Sequence, residues 1–330
     1  LGDAEALAAD PATAYLAASV AGPYPTVRRD ADGKPVLVVS AWEWGKVLGR
    51  LDLRFDEQGV LQEWAGAPIP IDDSIAEDAA LAARVSEYLR PVEAMSAVVV
   101  GSAADEFAGG SVSGVRHREM PLGDLVADVM LRYAGSAYGA QAALVNGGGI
   151  RASIAPGPVT FGQALEVLPF DNRIVVVELT GAELVAALDH GLTWGYDPAT
   201  GKAEYSGSFP QIAGMTVRYC GDSVVALQNA MDHEGSVPPP ECPDALRPGG
   251  VVTALQVQGE PVRLDATYRV ASNEFIALAG GDAYTMFPDA CARADRLCED
   301  SGVLLLDEFV RELRENSPLR HPPGGRLLGW

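Results

Sequence analysis

The stretch Asn146-Gly147-Gly148-Gly149-Ile150-Arg151 ends an apolar run, Ala142 to Val145. Glycine triplets cost backbone entropy and add nothing to a helix or strand interior. A strand that stops in three glycines offers bare main chain, which a ligand can approach closely. Arg151 then adds a planar fork of donors for phosphate or hydroxyl oxygens. A tight turn with a surface arginine is the competing reading. No Gly-Lys-Ser/Thr follows, so this is not a P-loop, and the glycine spacing is not that of a dinucleotide fingerprint.

Two further stretches carry matching chemistry. In Leu168-Pro169-Phe170-Asp171-Asn172 an aromatic is followed by a carboxylate and an amide. Such a ring can pack in a core, or it can stack on a flat ligand whose edge the amide reads. Residues 272–287 supply Phe275, Tyr284 and Phe287 together with Gly280, Gly281 and Asp282. Flat rings, a carboxylate for sugar hydroxyls and arginines for an anion together suit a nucleoside or nucleotide.

The histidines bound what else is possible. His117, His190, His233 and His321 are scattered, with no His-x-His, no Asn-His-Glu and no Asp-x-His. Nothing here builds a two-metal site, which needs clustered histidines and carboxylates. No Gly-x-Ser-x-Gly marks a nucleophile elbow. His190 falls in the last turn of a predicted helix, where a cation suits the dipole, and reads as structural.

The elements that must hold these residues follow from periodicity. Strands are expected within residues 35–56, where Leu51, Leu53 and Phe55 share a face, and a connecting helix over 72–93. From about residue 96 strands and helices alternate. The sequence predicts a strand at 94–103 and a helix from Pro121 with Leu122, Leu125, Val126, Val129 and Met130 along one stripe. Thr160 with Gln163 and Thr180 with Glu183 form capping boxes that open two helices, the second closed by Gly191. Residues 173–180 and 267–273 read as strands, 192–210 and 231–249 as loops, and 302–316 as a final amphipathic helix.

Composition sets the outer limits. The chain has 330 residues, 48% of them hydrophobic, and a formal charge of −21. That charge argues against nucleic-acid polymers, which demand a basic face, but not against a small phosphorylated ligand met by a few placed arginines. No apolar run reaches the length of a membrane span. The Ala-rich start lacks a basic leader and an initiator Met, so it reads as a processed or trimmed end, not a secretory signal. Cys220, Cys242, Cys291 and Cys298 read most simply as disulfides 220–242 and 291–298, with free thiols as the alternative; disulfides imply an oxidising compartment.

Three motifs in this order, NGGGIR, TFGQALEVLPFDNRIVVVELTGAEL and SNEFIALAGGDAY, resemble the C-terminal domain of the 5′-nucleotidase family over about residues 96–316. Residues 22–56 look like the closing strands of that family's metallophosphatase domain. The resemblance implies a mixed α/β fold: a metallophosphatase remnant at 1–63, a linker helix at 64–95 and a substrate-binding domain at 96–330. It makes Phe170 and Phe275 the rings that sandwich a base. The interval from Phe275 to Asp282 is one residue longer than the family's, so Tyr284 and Phe287 stand as alternatives for the second ring.

By the same resemblance Asn146 and Asn172 are amides near the nucleoside, and Arg116 and Arg151 contact phosphate or ribose. Asp282 takes ribose hydroxyls, and Gly148 and Gly214 line the pocket. Two divalent metal ions belong to the family's N-terminal domain, with ligands expected upstream of Leu1. The chain then reads as the nucleotide-binding part of a periplasmic or extracellular phosphoesterase. The metal-bearing segment is either cut away or supplied as a separate chain. A non-catalytic nucleotide-binding or assembly protein that keeps only this fold is the alternative.

Overall fold

The computed structural model describes residues 22–41, 44–110, 114–231 and 240–329. The Ala-rich start, His233 and residues 232–239 of the second predicted loop lie outside them. The chain divides into two compact units, Leu1–Leu89 and Arg90–Trp330.

The described part of the first unit is built of short antiparallel pairs. β1 (Thr26–Arg29) pairs with β2 (Pro35–Val38), β3 (Val47–Gly49) with β6 (Pro68–Pro70), and β4 (Asp52–Phe55) with β5 (Leu61–Ala65). No described residue between Gly22 and Leu89 is buried, although Val38, Leu48, Leu53, Phe55 and Trp64 are apolar. Alternation is present, but the face it defines is bare. Helix α1 (Ala79–Ser96) starts later than its periodicity predicts. The carboxylate of Asp78 accepts from the backbone N–H groups of Ala80 and Leu81 at 2.9 and 3.0 Å, a side-chain N-cap that fixes the first turn.

The second unit is a layered α/β body around a five-stranded mixed sheet. Its strands are β8 (Ala142–Asn146), β10 (Arg173–Thr180), β11 (Pro210–Ala213), β15 (Thr267–Asn273) and β16 (Cys298–Leu304), in the order β11-β8-β15-β10-β16. β8 and β15 run parallel; the other neighbours are antiparallel. Both faces are covered, so the central strands β8 and β10 are largely apolar and the alternation along β10 sorts its residues between two cores. Val175, Val177 and Leu179 of β10 face one core with Leu144 and Val270. Ile174 and Val176 face the other with Val145 and Ala271.

Helix α2 (Pro121–Tyr138) lays Leu122, Leu125, Val126, Val129 and Met130 into the second core, as its stripe predicts. β7 (Val99–Ala103) and β9 (Gly157–Thr160) pair beside it, and α3 (Phe161–Val167) adds Ala164 and Val167. Against the first core pack α4 (Gly181–Leu192) and the sheet β14-β13-β12-β17. Those strands are β12 (Met215–Tyr219), β13 (Val252–Val257), β14 (Glu260–Pro261) and β17 (Leu327–Gly329). Helix α5 (Gly221–Met231) follows β12; α6 (Glu274–Ala277) and α7 (Met286–Cys291) follow β15. Both capping boxes form, at Thr160–Gln163 and Thr180–Glu183. Both disulfides form in the simpler pairing, 220–242 and 291–298.

Two expectations need correction. Gly191 does not cap α4: it lies inside the helix, buried, where a Cβ would collide with the Tyr284 hydroxyl. The left-handed residues come later, at Trp194 (φ +53°) and Gly195 (φ +67°). The final helix α8 (Leu305–Glu315) begins three residues after Gly302, because residues 298–304 join the sheet edge as β16. Among the described residues no helix is long and apolar enough to cross a membrane.

Candidate functional site

Strand polarity gathers the site. Because β8 and β15 are parallel, and β10 and β11 antiparallel to their neighbours, four chain segments meet at one sheet end. They are the end of β8 at Asn146, the end of β15 at Asn273, and the approaches to β10 and β11. There a cavity of about 370 Å³ is lined by Arg116, Asn146, Gly148, Phe170, Asn172, Phe275 and Asp282, among others. That volume is within the range of small-ligand sites, about 300–1,000 Å³.

The two rings keep open faces: Phe170 is 49% and Phe275 41% exposed. Tyr284 and Phe287 are fully buried, so Phe275 is the second ring at the pocket. Arg173, first residue of β10, binds Glu274 at 2.6 Å and Asp300 at 2.9 Å. It thus ties the chain beside Phe170 to the residue preceding Phe275.

The polar wall is a relay of amides. The backbone N–H of Ile276 donates to Asn273 Oδ1 at 3.0 Å, and Asn273 Nδ2 donates to Asn146 Oδ1 at 2.9 Å. Asn146 Nδ2 then donates to Asp282 Oδ2 at 2.8 Å. Each amide is thereby fixed in orientation, and Asp282 keeps acceptor capacity for a ligand. Burial pushes the Asp282 carboxyl above its ordinary value; the Asn146 hydrogen bond and the nearby Arg116 charge oppose that. Asp282 and Ala283 are both left-handed, at φ +51° and +60°, a strain typical of functional sites.

Arg116 sits half-buried opposite. Burial and then the neighbouring Arg151 charge hold its guanidinium below the ordinary arginine value, with Asp282 opposing. Its Nε is buried without a hydrogen-bond partner. Arg151 is exposed, does not line the cavity, and donates to the Gly148 carbonyl at 3.2 Å. Two guanidiniums that repel each other beside a cavity suit an anion, which relieves that repulsion.

The glycine triplet does more than its sequence suggests: Gly148 and Gly149 line the cavity, and the turn also makes room for other segments. It forms a single 3₁₀ turn. A Cβ on Gly147 would collide with the Val115 carbonyl, and one on Gly148 would lie 2.9 Å from the Gly207 Cα. These glycines admit two other chain segments, residues 115–116 and 205–208, rather than baring the main chain alone. Gly214 is not brought to the pocket: it joins β11 to β12 at the Ala143 end of β8, where a Cβ would strike the Gln141 carbonyl.

His190 differs too. Its half-buried ring donates from Nε2–H to the Asp282 carbonyl at 2.7 Å, and burial moves its pKa below the ordinary value. Its role is structural, as expected, but through this hydrogen bond to the Asp282 carbonyl. Glu204, Tyr205, Ser206 and Gly207 also line the cavity. They fall in a segment that composition marks only as loop; an aromatic among small residues just before an apolar strand was the available signal.

Fold and pocket together define a mixed α/β domain with one small-ligand-sized cavity lined by open rings, amides, a carboxylate and a guanidinium. Residues 99–289 match the model of the 5′-nucleotidase C-terminal domain, and the chain belongs to the 5′-nucleotidase family. A trifunctional nucleotide phosphoesterase of Bacillus subtilis is 34% identical over 86% of this chain and 17% of its own length. The human 5′-nucleotidase is 30% identical over 86% of this chain and 47% of its own. A 5′-nucleotidase precursor from Thermus thermophilus superposes with a TM-score of 0.59 at 36% identity, covering 94% of this chain and 55% of that one. The chain thus spans about half the length of these relatives, or less.

Proposed function

We propose that this chain is the nucleotide-binding portion of a periplasmic or extracellular 5′-nucleotidase-type phosphoesterase. Phe170 and Phe275 hold the base between them, Asn172 reads its edge, Asp282 accepts from the ribose hydroxyls, and Arg116 with Arg151 meets the phosphate. The observation that carries this reading is one cavity holding two open rings, a carboxylate and a guanidinium with an unused buried donor. Two disulfides support an oxidising compartment.

Among the described residues no three His, Cys, Asp or Glu side chains converge to hold a metal ion. This chain's own residues bind and orient the ligand in this reading. The proposal places two divalent ions on a metallophosphatase segment outside this sequence, in the same protein or in a separate chain. Strands β1–β4 fall within residues 1–63 and support reading that span as the domain's closing strands; β5 runs past it to Ala65 and β6 lies beyond it, at Pro68–Pro70. Titration calorimetry of this chain with adenosine, AMP and CMP tests the proposal. Saturable binding supports it, with Phe170→Ala and Arg116→Ala each weakening AMP; no heat with any of the three overturns it.

A further inference from the structure

One turn touches three separate walls of the pocket. The C-terminal end of α4 runs from His190 through Trp194 and Gly195. His190 Nε2–H donates to the carbonyl of Asp282 at 2.7 Å. The indole Nε1–H of Trp194 donates to the carbonyl of Arg116 at 2.9 Å. The Trp194 carbonyl accepts from the N–H of Tyr205 at 3.0 Å.

The rings reinforce these bonds. His190 stands edge-on to the buried Tyr284 with centroids 4.9 Å apart, and tilted against Tyr205 at 6.3 Å. Tyr284 in turn donates its hydroxyl proton to the Ser208 carbonyl at 2.5 Å. A Cβ on Gly195 would lie 2.5 Å from the Tyr205 ring and 3.0 Å from His190 Cε1, so only glycine leaves that ring its place. Trp194 is 3% exposed yet adopts a left-handed backbone, φ +53°. A bulky residue held there is strained unless its surroundings over-determine it.

We propose that this turn positions the pocket: His190 registers the Asp282 carboxylate and Trp194 registers the Arg116 guanidinium, so that hydroxyl acceptor and anion donor stand at a fixed separation. Both bonds go to backbone carbonyls. They therefore steer the two ligand-facing side chains without touching a ligand. Asp282 sits in a left-handed pair of residues, and the donor from His190 holds its peptide group there. The Trp194 indole pins the Arg116 peptide group directly. His190 and Trp194 are positioning residues, and their losses separate by ligand. The inference rests on the proposed nucleotide reading of the pocket.

Calorimetry on the full chain compares AMP with adenosine, and adenosine with 2′,3′-dideoxyadenosine. Trp194→Phe removes the indole donor while keeping an aromatic ring. It is expected to lower the preference for AMP over adenosine by about tenfold, the scale of a charge-assisted hydrogen bond, and to leave the hydroxyl preference alone. His190→Phe is expected to lower the preference for adenosine over the dideoxy compound by a similar factor and to leave the phosphate preference alone. His190→Gln keeps a side-chain N–H and restores most of that loss.

Partial unfolding scales both affinities of a pair equally, so each preference reads positioning and not stability. Trp194→Leu stands in if Trp194→Phe does not fold, and His190→Leu stands in for His190→Phe. Unchanged preferences in folded variants, or equal losses for all three ligands, overturn the inference. Absence of binding by the unsubstituted chain overturns the nucleotide reading instead.

Discussion

Asn146 and Asp282, 136 residues apart in sequence, meet through a 2.8 Å hydrogen bond from Nδ2 to Oδ2. Asn146 ends β8 and Asp282 follows β15 and α6, so the bond exists only because β8 and β15 run parallel and end together. Asn146 is 4% exposed and its other amide atom is taken by Asn273. The amide is therefore a fixed donor to the carboxylate and has little room to adapt.

Replacing Asn146 tests that rigidity. Asn146→Ala leaves Asn273 Nδ2 without its acceptor and Asp282 without its donor. Orphaning a buried polar group costs about 1–3 kcal/mol, so both the melting temperature and adenosine affinity should fall. Asn146→Asp sets a second carboxylate against Asp282 and should weaken adenosine more than the alanine does. Thermal melts and calorimetry read the two effects, and equal affinity in all three proteins would sink the relay.

The rings permit a cleaner separation. Phe170 is half exposed and touches little core, so Phe170→Ala should bind AMP about 1–3 kcal/mol more weakly, the scale of one base stack, with little change in melting temperature. Phe287→Ala should do the reverse, because that ring is fully buried among the core residues. A Phe170→Ala protein with undiminished affinity would remove the ring from the ligand.

What was legible in the sequence was local or periodic. The stripe from Leu122 to Met130, both capping boxes and the short-loop disulfides depend on spacings of a few to some twenty residues, which periodicity, capping motifs and loop length make visible. Phe170, Phe275, Asn146 and Asp282 were recognisable as chemistry, and strand polarity brings them together. Tyr205 was less so, because its one local mark, an aromatic among small residues before a strand, is shared by many loop tyrosines. Gly191 and Gly214 were misread for one reason: a glycine needed for close approach looks the same in sequence as one needed for a cap or a ligand. The strand at 298–304 was hidden because Val303 and Leu304 continue the apolar pattern of the helix after them.

The triplet glycines make a graded prediction. On Gly147 a Cβ meets a backbone carbonyl, which cannot swing aside as a flexible side chain can. Gly147→Ala should therefore cost more than about 3 kcal/mol, an overpacking loss at the top of its usual range, and lower the melting temperature sharply. On Gly149 the nearest atom is Asn146 Oδ1 at 3.3 Å, a contact that small shifts relieve. Gly149→Ala should melt close to the unsubstituted chain. Similar melts for both would show that the turn is looser than described.

The last prediction concerns acid and base. Asp124, 2% exposed in the first turn of α2, is pushed up to about 8, chiefly by burial and then by Glu119 and Asp128, with Arg326 opposing. Asp124 Oδ1 and Glu119 Oε1 are both buried and lack a hydrogen-bond donor. A proton held between the two carboxyls satisfies both. Because the folded value lies above the ordinary 3.8, the folded chain holds a proton that the unfolded chain has lost over that interval. The stabilisation is complete below about pH 4 and drains away as pH rises to about 8, at most about 1.4 kcal/mol per pH unit. Asp124→Asn keeps a neutral donor at every pH and cannot lose it. Between pH 5 and 8 the unsubstituted chain should lose melting temperature relative to Asp124→Asn, and parallel melting curves across that range would refute the shared proton.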